Sequence, residues 1–84
     1  MDKFQEAIDK VNKAFSKNQS SYSAEIIDTN SKLVQIDIEG GDWKHDHGFA
    51  DYTMSINGFK KVTEQTTSED GSDWYGAIHY YIFK

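Results

Sequence analysis

The sequence predicts an α+β domain in which one N-terminal helix packs on one face of an antiparallel sheet of four or five strands. Three observations point there. Apolar residues recur at helical spacing over residues 3–17, the period changes to two beyond residue 20, and 84 residues leave room for a single small domain, residues 1–84.

The helix rests on Phe4, Ile8, Val11 and Phe15, spaced i, i+4, i+7, i+11 and flanked by Ala7 and Ala14. Asp2 stands where it can cap the first turn, with Gln5 at capping-box spacing. Lys10, Lys13 and Lys17 give the later turns the positive charge that suits the macrodipole. The helix should end in Asn18-Gln19-Ser20-Ser21, where polar side chains compete for backbone groups. Tyr22, Ala24 and Ile26 then alternate up to Asp28, Asp28-Thr29-Asn30-Ser31 reads as a turn, and Val34, Ile36 and Ile38 alternate with Gln35, Asp37 and Glu39. This is a hairpin with one wet face, closed by Gly40-Gly41-Asp42.

Residues 43–57 read as a long extended stretch, because Ala50, Tyr52, Met54 and Ile56 alternate with polar or small neighbours. Asn57-Gly58 is a strong signal for a type I′ hairpin turn, so Phe59 to Thr67 should return as a strand. A two-residue loop there opposes Met54 with Lys61 and sets Asp51 against Glu64, two acids face to face. A bulge that opposes Met54 with Val62 is therefore expected. Residues 68–72 make the next turn, and Asp73 to Lys84 form the last strand. One side of that strand carries Trp74, Gly76, Ile78, Tyr80 and Ile82; the other carries Tyr75, Ala77, His79, Tyr81 and Phe83. A strand apolar on both faces is central or covered twice. A single helix covers one sheet face only. The second face is expected to carry Tyr75, His79, Tyr81, Phe83, Trp43 and Phe49, and to meet solvent, another subunit or a partner.

Composition narrows the function. The core must be assembled from eight Ile, five Phe, five Tyr and two Trp, with one Leu and three Val. Fourteen acids against nine Lys give a net charge of -5, with no Arg, which excludes direct nucleic-acid binding through a clustered basic surface. Residues 21–59 hold seven acids against Lys32 and Lys44, a balance of -5, whereas the first twenty residues come to +1. Such a field steers association with a basic protein partner. Without Cys there is no disulfide, zinc-thiolate site or thiol nucleophile. The first residues lack a secretory signal and no stretch approaches the roughly 20 apolar residues of a membrane span, so a cytoplasmic protein, monomer or homodimer, is expected.

Few residues suggest catalysis. On a strand, His45 and His47 would project from one side and share a metal with Asp42 or Asp51. The remaining ligands are missing at any recognisable interval, so a plain polar stretch is preferred and no metal or cofactor is expected. His79, between Ile78 and Tyr80, reads as a packed sheet histidine. No nucleophile elbow or phosphate-cradling glycine loop is present, and the expectation is a protein that is not an enzyme. The aromatic residues are better placed to anchor a partner. Trp74 and Tyr80 are assigned to the core. The partner-binding set is Asp37, Glu39, Asp42, Trp43, Asp46, Asp51, Tyr75 and Tyr81: carboxylates in place of phosphates and rings in place of bases.

In size, acidity, lack of cysteine and a helix followed by a compact sheet, the chain resembles small phage-encoded inhibitors of host defence, notably the anti-CRISPR proteins. The resemblance is to a class that shares no common fold or motif. It implies an inhibitor acting as a DNA mimic in the basic channel of a CRISPR or other nuclease, with Asp37, Glu39, Asp42, Asp46 and Asp51 facing Lys and Arg of the target. The same electrostatics suit an immunity protein or antitoxin that neutralises a basic toxin. A self-associating structural protein would instead cover its open sheet face with a second copy, and a metal enzyme would use His45 and His47.

Overall fold

The computed structural model describes residues 2–69 and 74–84. Helix α1 spans Lys3–Lys17, and the Asp2 carboxylate accepts the Phe4 N–H at 2.9 Å. Gln5 does not complete a capping box; its side-chain amide donates to Asp9 at 3.1 Å instead. The helix ends where Gln19 turns left-handed, φ 60°, and the Ser20 N–H returns to the Phe15 carbonyl at 2.9 Å. Asn12 then docks α1 on the sheet by bonding both the N–H and the carbonyl of Ala24, at 2.7 and 3.1 Å.

Strands β1 (Ala24–Asp28) and β2 (Leu33–Asp42) form the expected hairpin, with Ala24 opposite Ile36 and Ile26 opposite Val34. Asp28 organises the turn by accepting from the Asn30 N–H and the Ser31 hydroxyl.

The expected extended stretch at 43–57 is absent. A π-helical turn, Trp43–His47, leads into helix α2, Gly48–Ile56. Asp42 caps the turn by accepting from the N–H groups of Lys44 and His45 at 2.8 and 3.0 Å, and the Gly48 N–H closes the π-type bond to the Trp43 carbonyl. The alternating apolar residues obey helical spacing equally well. Ala50 and Met54, four apart, are buried, while Tyr52 and Ile56, also four apart, are 63% exposed on the opposite side.

Asn57-Gly58 accordingly ends a helix rather than making a hairpin. Asn57 has φ -106°, ruling out the type I′ geometry, and Gly58, at φ +90°, sits just past the last turn with its N–H on the Ser55 carbonyl. Strand β3 (Phe59–Glu69) thus pairs with β4 (Trp74–Phe83) and not with residues 43–57. A bulge does fall between Lys61 and Thr63, but against β4. Residues 70–73, most of the predicted turn at 68–72 and the first residue of the predicted last strand, lie outside the described residues.

The four strands order β1-β2-β4-β3, all antiparallel, so β4 is central as its two apolar faces require. Both helices lie on one face. Phe4, Ile8, Val11 and Phe15 of α1 and Ala50 and Met54 of α2 share a core with Val34, Ile36, Ile38, Phe59 and Tyr81. Phe4 stacks at a tilt against Phe59 and Phe83, and Phe15 meets Tyr22 and Phe49 edge-on.

The covered face is the opposite of the one expected. Register pairs Val34 with Tyr81, Ile36 with His79 and Ile38 with Ala77, so the clear alternation of β2 decides which side of β4 turns inward. His79 and Tyr81 are buried, Phe83 and Phe49 pack against the core, and Trp43 and Tyr75 stack on the helix-covered side. Trp74, assigned to the core from sequence, is 54% exposed, and Tyr80 is half-buried on the uncovered face.

Candidate functional site

The most concentrated chemistry lies between α2 and the β3–β4 pair. His47, carried inward by the last residue of the π-helical turn, places Nδ1 2.7 Å from His79 Nε2 and Nε2 2.8 Å from the Tyr75 carbonyl oxygen. Both imidazoles are fully buried. The other nitrogen of His79, Nδ1, has no hydrogen-bond partner among the described residues and lies 3.7 Å from Glu64 Oε1 and 3.9 Å from Asp51 Oδ1. Lys61 bridges those two carboxylates, 3.1 Å from Asp51 Oδ2 and in a short contact with Glu64, while the Tyr81 hydroxyl donates to Asp51. The His47 ring lies flat on Tyr75, centroids 4.7 Å apart at 11°, and Trp43 stacks over both.

The environment fixes what these groups can do. Burial disfavours the Lys61 ammonium, but its hydrogen bonds to Glu64 and Asp51 outweigh that cost and hold its pKa above the usual lysine value. Burial, then the bond to Asp51, pushes the Tyr81 phenol far above the ordinary tyrosine range. A lysine held charged and a phenol held neutral are poor nucleophiles and bases at neutral pH. For His79, burial first and Lys61 second lower the pKa, with Asp51 and Glu64 pulling the other way and His47 adding to the lowering. A cleft of about 340 Å³ beside the network is lined by Asp51, Ser55, Phe59, Lys60, Lys61 and Tyr81, which reaches the carboxylate end and not the imidazoles.

A second region occupies the sheet face that no described element covers. Cross-strand register aligns Leu33 with Ile82, Gln35 with Tyr80 and Asp37 with Ile78, so the half-buried side chains of β4 form an apolar stripe down its middle. Flanking that stripe, the exposed Glu25, Asp37 and Glu39 line one shallow concavity of about 400 Å³ with Ser21, Tyr22 and Ser23. These three carboxylates make no ion pair among the described residues. At one end of the face stands exposed Trp74, its indole against Gly40.

The eight residues predicted for partner binding do not form one surface. Asp37 and Glu39 lie on the uncovered face. Asp42 caps the π-helical turn, the backbone donors of His45 and Lys44 holding its pKa below the usual range. Asp46 is turned inward: its carboxylate accepts the Asp42 N–H at 2.7 Å, and its carbonyl accepts the Tyr22 hydroxyl at 3.1 Å. Asp51 belongs to the lysine bridge, Tyr75 lies under His47, and Tyr81, 1% exposed, is core and not a surface anchor. Trp43 remains 46% exposed at the rim of the turn. His45 and His47 part company, because a helical turn points neighbours two apart in different directions: His45 is exposed and His47 buried. No group of three or more metal-binding side chains converges among the described residues.

Sequence reasoning missed Glu25, Lys61, Glu64, Trp74 and Tyr80 as members of either region. The sequence reading met Asp51 opposite Glu64 only as a clash that a bulge should avoid; that a lysine between them turns repulsion into a bridge was not foreseen.

The geometry defines a two-layer α+β protein with two helices on one side, a sheet face on the other that no described element covers, and a buried histidine pair between layers. No protein-family model, curated protein or solved structure matches the chain.

Proposed function

We propose that this chain is a small acidic inhibitor that binds a basic protein partner through its uncovered sheet face, rather than an enzyme. The supporting observation is the pairing on that face of an apolar stripe, Ile78, Tyr80 and Ile82, with the exposed carboxylates of Glu25, Asp37 and Glu39. Apolar area supplies contact, and the carboxylates select a cationic surface and orient it. In the sharper form of this reading the partner is a nuclease and the carboxylates occupy its basic channel in place of the phosphates of a nucleic acid, as the class resemblance implies. An immunity protein or antitoxin would use the same surface against a basic toxin. No helix among the described residues is long and apolar enough to cross a membrane, and a cytoplasmic location belongs to the proposal.

The test is affinity purification of the wild-type chain beside the triple variant Glu25→Lys, Asp37→Lys, Glu39→Lys, at low and high salt, with mass spectrometry of what is retained. A basic nucleic-acid-binding protein held by the wild type, released by salt and lost in the variant is the expected result. Retention indifferent to both salt and charge reversal refutes the reading.

A further inference from the structure

The hydrogen-bond directions in the buried pair follow from one fixed acceptor. A carbonyl oxygen can only accept, so the contact to Tyr75 requires the proton on His47 Nε2. Neutral His47 then offers a lone pair at Nδ1, which makes His79 Nε2 the donor across 2.7 Å. That leaves the His79 lone pair at Nδ1, buried and unpartnered, facing the oxygens of Glu64 and Asp51. The lone pair repels those oxygens, whereas an N–H at the same atom attracts them.

The pair therefore accommodates one added proton, at His79 Nδ1, with both existing hydrogen bonds intact. It has no place for a second. The only remaining lone pair is His47 Nδ1, and protonating it sets two donors and two positive rings against each other across the contact. The groups facing the pair are Asp51 from α2, Lys61 and Glu64 from β3, Tyr81 beside it on β4, and Asp42 from the turn side of His47; His45 of the same turn is exposed. Strand β2 presents apolar Ile36 opposite His79, and the buried side chains of α1, Phe4, Ala7, Ile8, Val11 and Phe15, are apolar. Through His47 the contact ties the π-helical turn to β4, and Trp43 rests on the same His47 and Tyr75 rings.

We propose that the His47–His79 hydrogen bond is a proton-operated latch, which holds the π-helical turn and Trp43 on β4 while the pair carries at most one added proton and releases them, strands still paired, when it takes a second. A second proton would have to enter between two facing donors beside a ring already charged, and burial, then Lys61, lower the His79 pKa, so release belongs to acidic conditions. The latch lies on the helix-covered side and does not depend on partner binding by the open face.

Trp74→Phe leaves Trp43 as the only tryptophan and alters an exposed side chain. Its emission is followed from about pH 8 to about pH 4 together with far-ultraviolet circular dichroism and nitrogen-15 NMR of the imidazoles. The expected result has His79 Nδ1 protonating first with Trp43 emission unchanged. A shift of that emission to longer wavelength follows at lower pH, as His47 Nδ1 gains its proton and the strand signal persists. Three results overturn the proposal: emission that moves only when the strand signal is lost, emission that never moves, and a transition abolished by His45→Gln, which would assign it to the exposed imidazole.

Discussion

Each imidazole of the buried pair has its tautomer chosen by a neighbour, and a single backbone oxygen, that of Tyr75, begins the chain. This has a measurable consequence for stability. The folded state holds the His79 pKa below its ordinary value, so below about pH 6.5 the unfolded chain binds the proton more readily than the folded one. The stabilisation from a neutral His79 is thus fully present above that pH and is lost as pH falls toward the folded value. Urea midpoints should decrease between about pH 7 and about pH 5.5, and a midpoint that rises over this interval contradicts the assignment. Lys61 sets the same balance from the other side. Lys61→Met leaves two carboxylates facing each other and His79; it should cost about 1–2 kcal/mol, less than a fully buried pair because the side chains are about a third exposed, and should raise the His79 pKa in an NMR titration.

Among the elements, the π-helical turn depends on a close approach. A Cβ on Gly41 would stand 2.7 Å from Ile38 Cγ2 and 2.8 Å from Asp46 Cβ, inside any ordinary contact. Gly41→Ala should therefore destabilise by about 1–3 kcal/mol in urea unfolding. Gly48 provides the contrast. It is exposed, with helical φ -65° and ψ -41°, and an added Cβ meets only the Trp43 carbonyl at 3.4 Å, so Gly48→Ala should stabilise by up to about 1 kcal/mol. Helix α2 is also where sequence was least legible. Apolar residues at 50, 52, 54 and 56 satisfy period two along a strand and, taken in pairs four apart, two opposite faces of a helix. Asp42 as a cap was the readable cue for the helical alternative, and Asn57-Gly58 serves a helix end as readily as a hairpin. By contrast α1 and the first hairpin were legible because one face of each is apolar and the other polar, which leaves a single period to choose.

At the scale of the whole molecule, the α+β class followed from the change of period, but the sidedness of β4 did not. Its residues are apolar on both faces, so only pairing with β2 tells which side meets the helices, and that pairing joins segments about forty residues apart. The candidate site inherited the ambiguity: Asp37 and Glu39 could be placed on the wet face because β2 alternates cleanly, whereas Tyr81 and Trp74 exchanged places. Since the triple reversal at Glu25, Asp37 and Glu39 touches exposed side chains without ion-pair partners among the described residues, it should change the unfolding free energy only within the range of ordinary surface changes, about 0.5 kcal/mol for each substitution. A large loss on thermal denaturation would show that these carboxylates serve the fold. Deleting the Ile36 side chain to Ala, by contrast, opens a space in the shared core and should cost about 2–5 kcal/mol.

The strand order carries one more consequence, for how the chain reaches this shape. Strands β2 and β3 are both zipped to β4, the one synthesised after them, so when β3 has emerged the sheet still lacks its middle. Until residues 74–83 arrive, only the β1–β2 hairpin and the helices can form local structure, and the cooperative step must wait for closure across long loops. Folding of this small protein is therefore governed from its C-terminal strand, and a weakened β4 should slow refolding more than an equally destabilising change in β1.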